Sequence, residues 1–197
     1  MIKLIVFDFD GTIVDTWKFI EDAIKESAGK YGYKIGKKFL RMLGDKPMRE
    51  LLEHVVRNSR HLEKIMLDFI EKKEKSMHHI KRIKNVMKLK KIKQKKIILS
   101  NNLSPFIKDI LQNLGINFFD EIYGADDFEN KEEKLREIIK KNGLDAREVV
   151  YIGDKPIDVM LARKVGCVSV VISQKASWSS REELLEAEPD FLISDLG

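Results

Sequence analysis

The chain has 197 residues, 43% hydrophobic and 35% charged, with a net charge of +5. That length supports one sizeable core and a small accessory lobe, and the composition excludes a disordered polymer. Cys167 is the only cysteine, so an intrachain disulfide is excluded, and no apolar run reaches the roughly 20 residues of a membrane span. A reducing cytoplasm and a soluble protein without membrane or nucleic-acid partners are expected, as monomer or homodimer. The excess of Lys and Arg over Asp and Glu comes with no nucleic-acid recognition motif and reads as a solvated surface.

The first element is the apolar run Ile2 to Phe7, the pattern of a parallel strand buried on both faces. It runs directly into Asp8, Asp10 and Gly11, so a polar site is expected at the carboxyl edge of the sheet. Residues 17–80 change character. Asp15 and Thr16 are candidate helix N-caps, and Phe19, Ile20, Ala23, Ile24, Ala28 and Tyr31 follow at helical spacing. A second helix is expected from Pro47, with Leu51, Leu52, Val55 and Val56 inward, and a third through Leu62, Ile65, Met66, Phe69, Ile70 and Met77. No strand is expected in this stretch, which reads as a small helical lobe inserted after the first strand.

From Lys81 the rhythm becomes α/β. A basic helix through Ile83, Val86, Met87 and Leu89 is expected, its lysines reaching solvent. Strands follow at 96–100, 121–123, 149–152, 168–172 and 191–193, separated by helices that open at Ser104–Pro105, run through Leu135, Ile138 and Ile139, and open at Pro156. The expected fold is therefore α/β, a doubly wound parallel sheet made of residues 1–16 and 81–197, with 17–80 as an all-helical cap.

In a parallel sheet the polar strand ends share one rim. Asp8 with Asp10, Ser100 with Asn101, Lys131, and Asp154 with Asp158 would then converge. Several carboxylates a few ångströms apart repel unless a hard cation sits among them, and magnesium suits a few carboxylates plus water. Lys131 adds a second positive charge and Ser100 a hydroxyl donor, a combination suited to an anionic, oxygen-rich substrate. Asp8 is placed to attack phosphorus, and Asp10 to protonate the leaving oxygen and then activate water, given a pKa raised by neighbouring charge. Taken singly, each residue has a plainer role: Asp8-x-Asp10 as a solvated turn, Ser100 and Asn101 as a helix cap, Lys131 as a surface lysine, Asp158 as a partner of the helix dipole. Trp17 and Trp178 read as packing residues, and the four histidines as solvated helix residues.

Asp8-Phe-Asp-Gly-Thr-Ile-Val-Asp15 resembles the first motif of the haloacid dehalogenase superfamily. Ser100-Asn101 after an apolar strand resembles its second motif. Lys131 has the spacing of its lysine motif, with Lys134 as the other candidate, and Gly153-Asp-Lys-Pro-Ile-Asp158 resembles its Gly-Asp-x-x-x-Asp motif. The resemblance spans essentially the whole chain. Where the family often has Lys-Pro, this chain has Lys131-Glu132. The resemblance implies a magnesium-dependent phosphatase acting on a small phosphomonoester, with a phosphomutase as the alternative. Asp8 would be nucleophile and metal ligand, Asp10 acid/base with its backbone carbonyl on the metal, Asp154 a metal ligand, Asp158 a residue beyond the metal's direct ligands, and Ser100, Asn101 and Lys131 the phosphate binders. Asp10 is absent from the superfamily's dehalogenases, so its presence points to phosphate chemistry. The helical insert would be a cap, and Lys46 and Arg49 in its 44–49 loop would meet a negatively charged substrate tail; a plain helix start at Pro47 accounts for the same residues.

Overall fold

The computed structural model describes residues 1–197, the side chain of Ser76 excepted. Its strands, in chain order, are β1 (Leu4–Phe7), β2 (Val14–Asp15), β3 (Lys81–Arg82), β4 (Lys95–Leu99), β5 (Glu121–Tyr123), β6 (Val149–Gly153), β7 (Val168–Ile172) and β8 (Phe191–Ile193). Six of them form one sheet in the order β5-β4-β1-β6-β7-β8, every neighbouring pair parallel. The fold is the expected doubly wound α/β sheet, and the first strand of the sequence lies at its centre.

Alternation along the strands explains the layers. Leu4 and Val6 of β1, with Ile97 and Leu99 of β4, face a core shared with α6 (Lys131–Lys141) and α7 (Pro156–Val165). Phe7 and Ile98 face the opposite core, which holds Phe106, Ile107, Ile110 and Leu111 of α5 (Ser104–Asn113). A side-chain period of two thus sends consecutive apolar residues to opposite faces, and helices must cover both.

The helical lobe leaves the sheet just after β2 and returns on β3, and these two short strands pair antiparallel. Exit and return are thereby fixed side by side. Between them lie α1 (Trp17–Gly29), α2 (Lys37–Arg41), α3 (Met48–Glu53) and α4 (Ser59–Ser76). Ile24, Leu43, Leu51, Leu52 and Ile65 are among the buried residues of the lobe's own hydrophobic cluster, against which Trp178 packs from the sheet side.

Several local expectations change. Thr16 does sit at the N-cap of α1, but its hydroxyl makes no cap bond and donates instead to Asp10. The helix α2 was not anticipated; five residues are too few to display a period. The basic helix expected from Ile83 is a 3-10 helix over Val86–Lys91, preceded by β3. Val86 and Leu89, three residues apart, are its buried positions, which matches the three-residue turn of that helix, while Met87 is exposed. A last helix, α8 (Arg181–Glu186), opens on a capping box between Ser180 and Glu183 that the sequence reading passed over.

Candidate active site

The loops after β1, β4 and β6 meet at the carboxyl rim of the sheet. Asp8 follows β1 directly, and its amide donates to the carbonyl of Ile152 on β6 at 2.8 Å. Asp154 directly follows β6, and Asp158 lies in the first turn of α7. Carboxylate oxygens of Asp8, Asp154 and Asp158 all lie within 4.8 Å of one another. Lys131, the first residue of α6, donates to Asp8 Oδ1 at 2.9 Å and stands 3.8 Å from Asp158 Oδ1. Asn130 sets it there, capping α6 by accepting the amides of Glu132 and Glu133. Lys134, the other candidate, pairs with Glu137 and lies over the ring of Tyr123.

Two glycines make room for this cluster. Gly11 has φ +76°, and a Cβ there would fall 2.1 Å from Asp154 Oδ2. A Cβ on Gly153 would fall 2.2 Å from the Asp158 carboxyl group. The carboxylates occupy space that any other residue would fill. Asp154, 1% exposed, accepts from the Thr12 hydroxyl at 3.3 Å and from the amide of Trp178. Asp158 spends Oδ2 on the amides of Asp154 and Lys155, at 3.2 and 3.1 Å.

Three acids face one ammonium at this point. Burial, with the charges of Asp158 and Asp8, pushes the Asp154 carboxyl well above its ordinary range. Burial and the Asp8 charge push Asp158 up to about 6. Burial works against the Lys131 ammonium, but the Asp8 and Asp158 charges outweigh it and its pKa is raised. An all-oxygen donor set with surplus buried negative charge fits a hard divalent cation.

Asp10 lies on the side of the rim facing the lobe. It accepts from the Thr16 hydroxyl at 2.7 Å and from Asn102 Nδ2 at 3.0 Å. Its pKa is raised, as the sequence reading required, but the main cause differs. Burial contributes most, the Asp8 charge adds a little, and Lys73 opposes both. Lys73 comes from α4 of the lobe, is 9% exposed, and donates to Asn102 Oδ1 at 2.7 Å. Burial pulls its own pKa down to about 8, against the charge of Asp10. Lys73, Asn102 and Asp10 therefore form a chain from lobe to rim that the sequence reading missed. A signal was present: Leu62, Ile65, Phe69 and Lys73 share the buried face of α4, so a lysine holds an apolar position.

Ser100 is buried, and its hydroxyl accepts the amide of Asn102 at 3.2 Å. Asn101 Nδ2 reaches across to the carbonyl of Gly44 at 2.9 Å. A small cavity of about 60 Å³ separates lobe from rim, lined among others by Asp8, Asp10, Ser100, Asn101, Lys73 and Lys46. Lys46 is also paired with Glu50. Arg49, expected beside it, is not among the lining residues; it pairs with Glu63 on α4. Trp178 does more than pack: its ring lines the cavity and meets Trp17 edge-on at 5.4 Å.

A family model described as haloacid dehalogenase-like hydrolase matches residues 5–172. A phosphoglycolate phosphatase of Vibrio cholerae is 29% identical over 100% of this chain and 94% of its own. Among solved structures, a predicted phosphoglycolate phosphatase from Haemophilus somnus superposes with a TM-score of 0.85 at 17% identity, covering 98% of this chain and 94% of that one. A Rhodobacter sphaeroides protein, CbbY, crystallised with phosphate, superposes at 0.81 and 17% identity over 99% and 95%. The chain belongs to the haloacid dehalogenase-like hydrolases. Phosphatases of this superfamily generally use a divalent metal, in line with the donor set above. Among the described residues no helix is long and apolar enough to cross a membrane.

Proposed function

We propose that the protein is a magnesium-dependent phosphatase that hydrolyses a small phosphomonoester through a phosphoaspartate formed on Asp8. The observation that carries this reading is the meeting of Asp8, Asp154 and Asp158 with Lys131 at one end of β1 and β6. Asp8, Asp154 and the backbone carbonyl of Asp10 would hold the ion, with Asp158 beside it. When bound, the ion supplies positive charge that lets the carboxylates and the substrate's phosphoryl oxygens share one site.

The remaining chemistry belongs to the chain. Asp8 Oδ1 is held by Lys131, which orients the carboxylate so that its other oxygen attacks phosphorus. As that bond forms, the bond from phosphorus to the leaving oxygen breaks, and Asp10 gives that oxygen its proton. The raised pKa of Asp10 keeps the proton available, and Thr16 and Asn102 hold the carboxyl group in place. Water then attacks the phosphorus, Asp10 takes its proton, and the bond to Asp8 breaks, releasing phosphate. Lys131 and the Ser100 hydroxyl steady the phosphoryl oxygens as charge shifts. Cys167 takes no part: burial pushes its thiol up to about 12. A lone buried cysteine also suits a reducing cytoplasm.

The name carried by the Vibrio relative makes phosphoglycolate the first candidate. Lys46 is the lining residue suited to a substrate carboxylate. The test is phosphate release from a panel of phosphorylated metabolites, with and without magnesium. Metal-dependent release from small esters is expected. No release from any ester would overturn the reading, and isomer formation from a hexose phosphate without release would turn it into a mutase.

A further inference from the structure

Two buried lysines join the lobe to the core, and they point in opposite directions. Lys73 descends from α4 toward Asp10. Lys155 rises from the rim, directly after Asp154, and is 7% exposed. Its Nζ donates to the carbonyl of Arg41 at 2.9 Å, to the carbonyl of Leu43 and to the Asp45 carboxylate. An ammonium has three donors, and all three are taken by one short stretch of the lobe. Carbonyls at and just beyond a helix C-terminus lack intrahelical partners, and Lys155 supplies them for α2.

The base of this side chain is equally fixed. The Lys155 amide donates to the same Asp158 oxygen that holds the Asp154 amide. Beside it, Asn101 at the end of β4 donates to the Gly44 carbonyl. Residues 41–45 are therefore gripped from the loops after β4 and β6, which flank β1. The same stretch supplies Leu43 and Gly44 to the cavity wall. A buried ammonium that loses some acceptors without gaining water is costly. The arrangement thus favours two positions: seated with all three acceptors, or lifted with the ammonium hydrated.

We propose that Lys155 is a positioning residue that latches the 41–45 loop over the cleft and fixes the size of the closed cavity, and so selects small phosphomonoesters. The selectivity rests on the phosphatase reading above; the latch itself does not.

The test uses the full chain with Lys155→Met, Asp45→Asn and the double variant. Without substrate, hydrogen exchange of the 41–46 amides should rise about tenfold in Lys155→Met, while β4 and β6 stay protected. In turnover, KM for a two-carbon phosphomonoester should rise about tenfold with kcat within about threefold, and p-nitrophenyl phosphate should gain relative to it. Asp45→Asn should shift both readouts the same way by less, and the double variant should be no worse than Lys155→Met alone. Unchanged exchange at 41–46, equal loosening of β6, or additive single effects would overturn the latch. Should Lys155→Met fail to fold, the exchange of Asp45→Asn decides alone. A wild-type chain without phosphatase activity would sink the functional reading, and the exchange measurement would still judge the latch.

Discussion

Each carboxylate of the site stands at the carboxyl rim of the sheet, whereas the helical lobe contributes two ammoniums, Lys73 and Lys46, and the acceptors of Lys155. The two regions also differ in how they are built. The sheet buries residues on two faces, and its strands pair over long sequence separations. The lobe buries one stripe per helix within a cluster of its own. The comparison teaches that the rim carboxylates and the groups that meet them from the lobe come from differently built parts of the chain, joined at a few contacts such as Trp17 with Trp178.

The largest effect should come from the rim. Asp8→Asn is expected to lower turnover of an aryl phosphate at least about a thousandfold with an unchanged melting temperature. Retained turnover in a folded variant would remove Asp8 from the chemistry. Asp10→Asn should slow turnover by about a hundredfold or more, as loss of a general acid does, again with the fold intact. Rate profiles and thermal melts check both.

Next come matched cavities in the two cores. Ile98→Ala in β4 and Leu52→Ala in α3 should each cost about 2–5 kcal/mol, since both side chains are fully buried. Their hydrogen-exchange maps should part company, with Leu52→Ala loosening residues 17–76 and sparing the sheet. Uniform loosening by both would show that the lobe and the sheet behave as one cooperative unit.

The smallest effect lies at the sheet edge. Glu121 is bonded by Lys95, Tyr123 and Lys141, which hold its carboxyl down at about 2 from an ordinary 4.5. A depressed acid stabilises the fold above its unfolded pKa and loses that contribution as pH falls through the folded one. Glu121→Gln should therefore cost about 1 kcal/mol at pH 7 after solvent screening, and the gap should close between pH 4.5 and 2. Urea titrations across that range measure it.

The sheet was legible because a buried parallel strand leaves an unbroken apolar run, and the rim because Asp8, Asp10, Asp154 and Asp158 each lie within a few residues of a strand end. Closure was not. Lys73 meets Asn102, and Lys155 meets Arg41, Leu43 and Asp45, across separations that no local pattern records. Arg49 shows the same limit from the other side: its place in the chain suggested the cleft, and a glutamate on a neighbouring helix took it elsewhere. The short helix α2 escaped because five residues make less than two helical turns and cannot display a period, while the basic helix expected through Val86 and Leu89 is there as a 3-10 helix.

The central place of β1 has a consequence for biosynthesis. Leu4 finds its neighbours at Lys95 and Val149, so this apolar stretch of the nascent polypeptide leaves the ribosome long before either flank has been translated. At roughly 5–20 residues per second it waits several seconds unpaired. The helical lobe, whose buried cluster is drawn from residues 20–69, is complete well inside that interval and can fold before the sheet does.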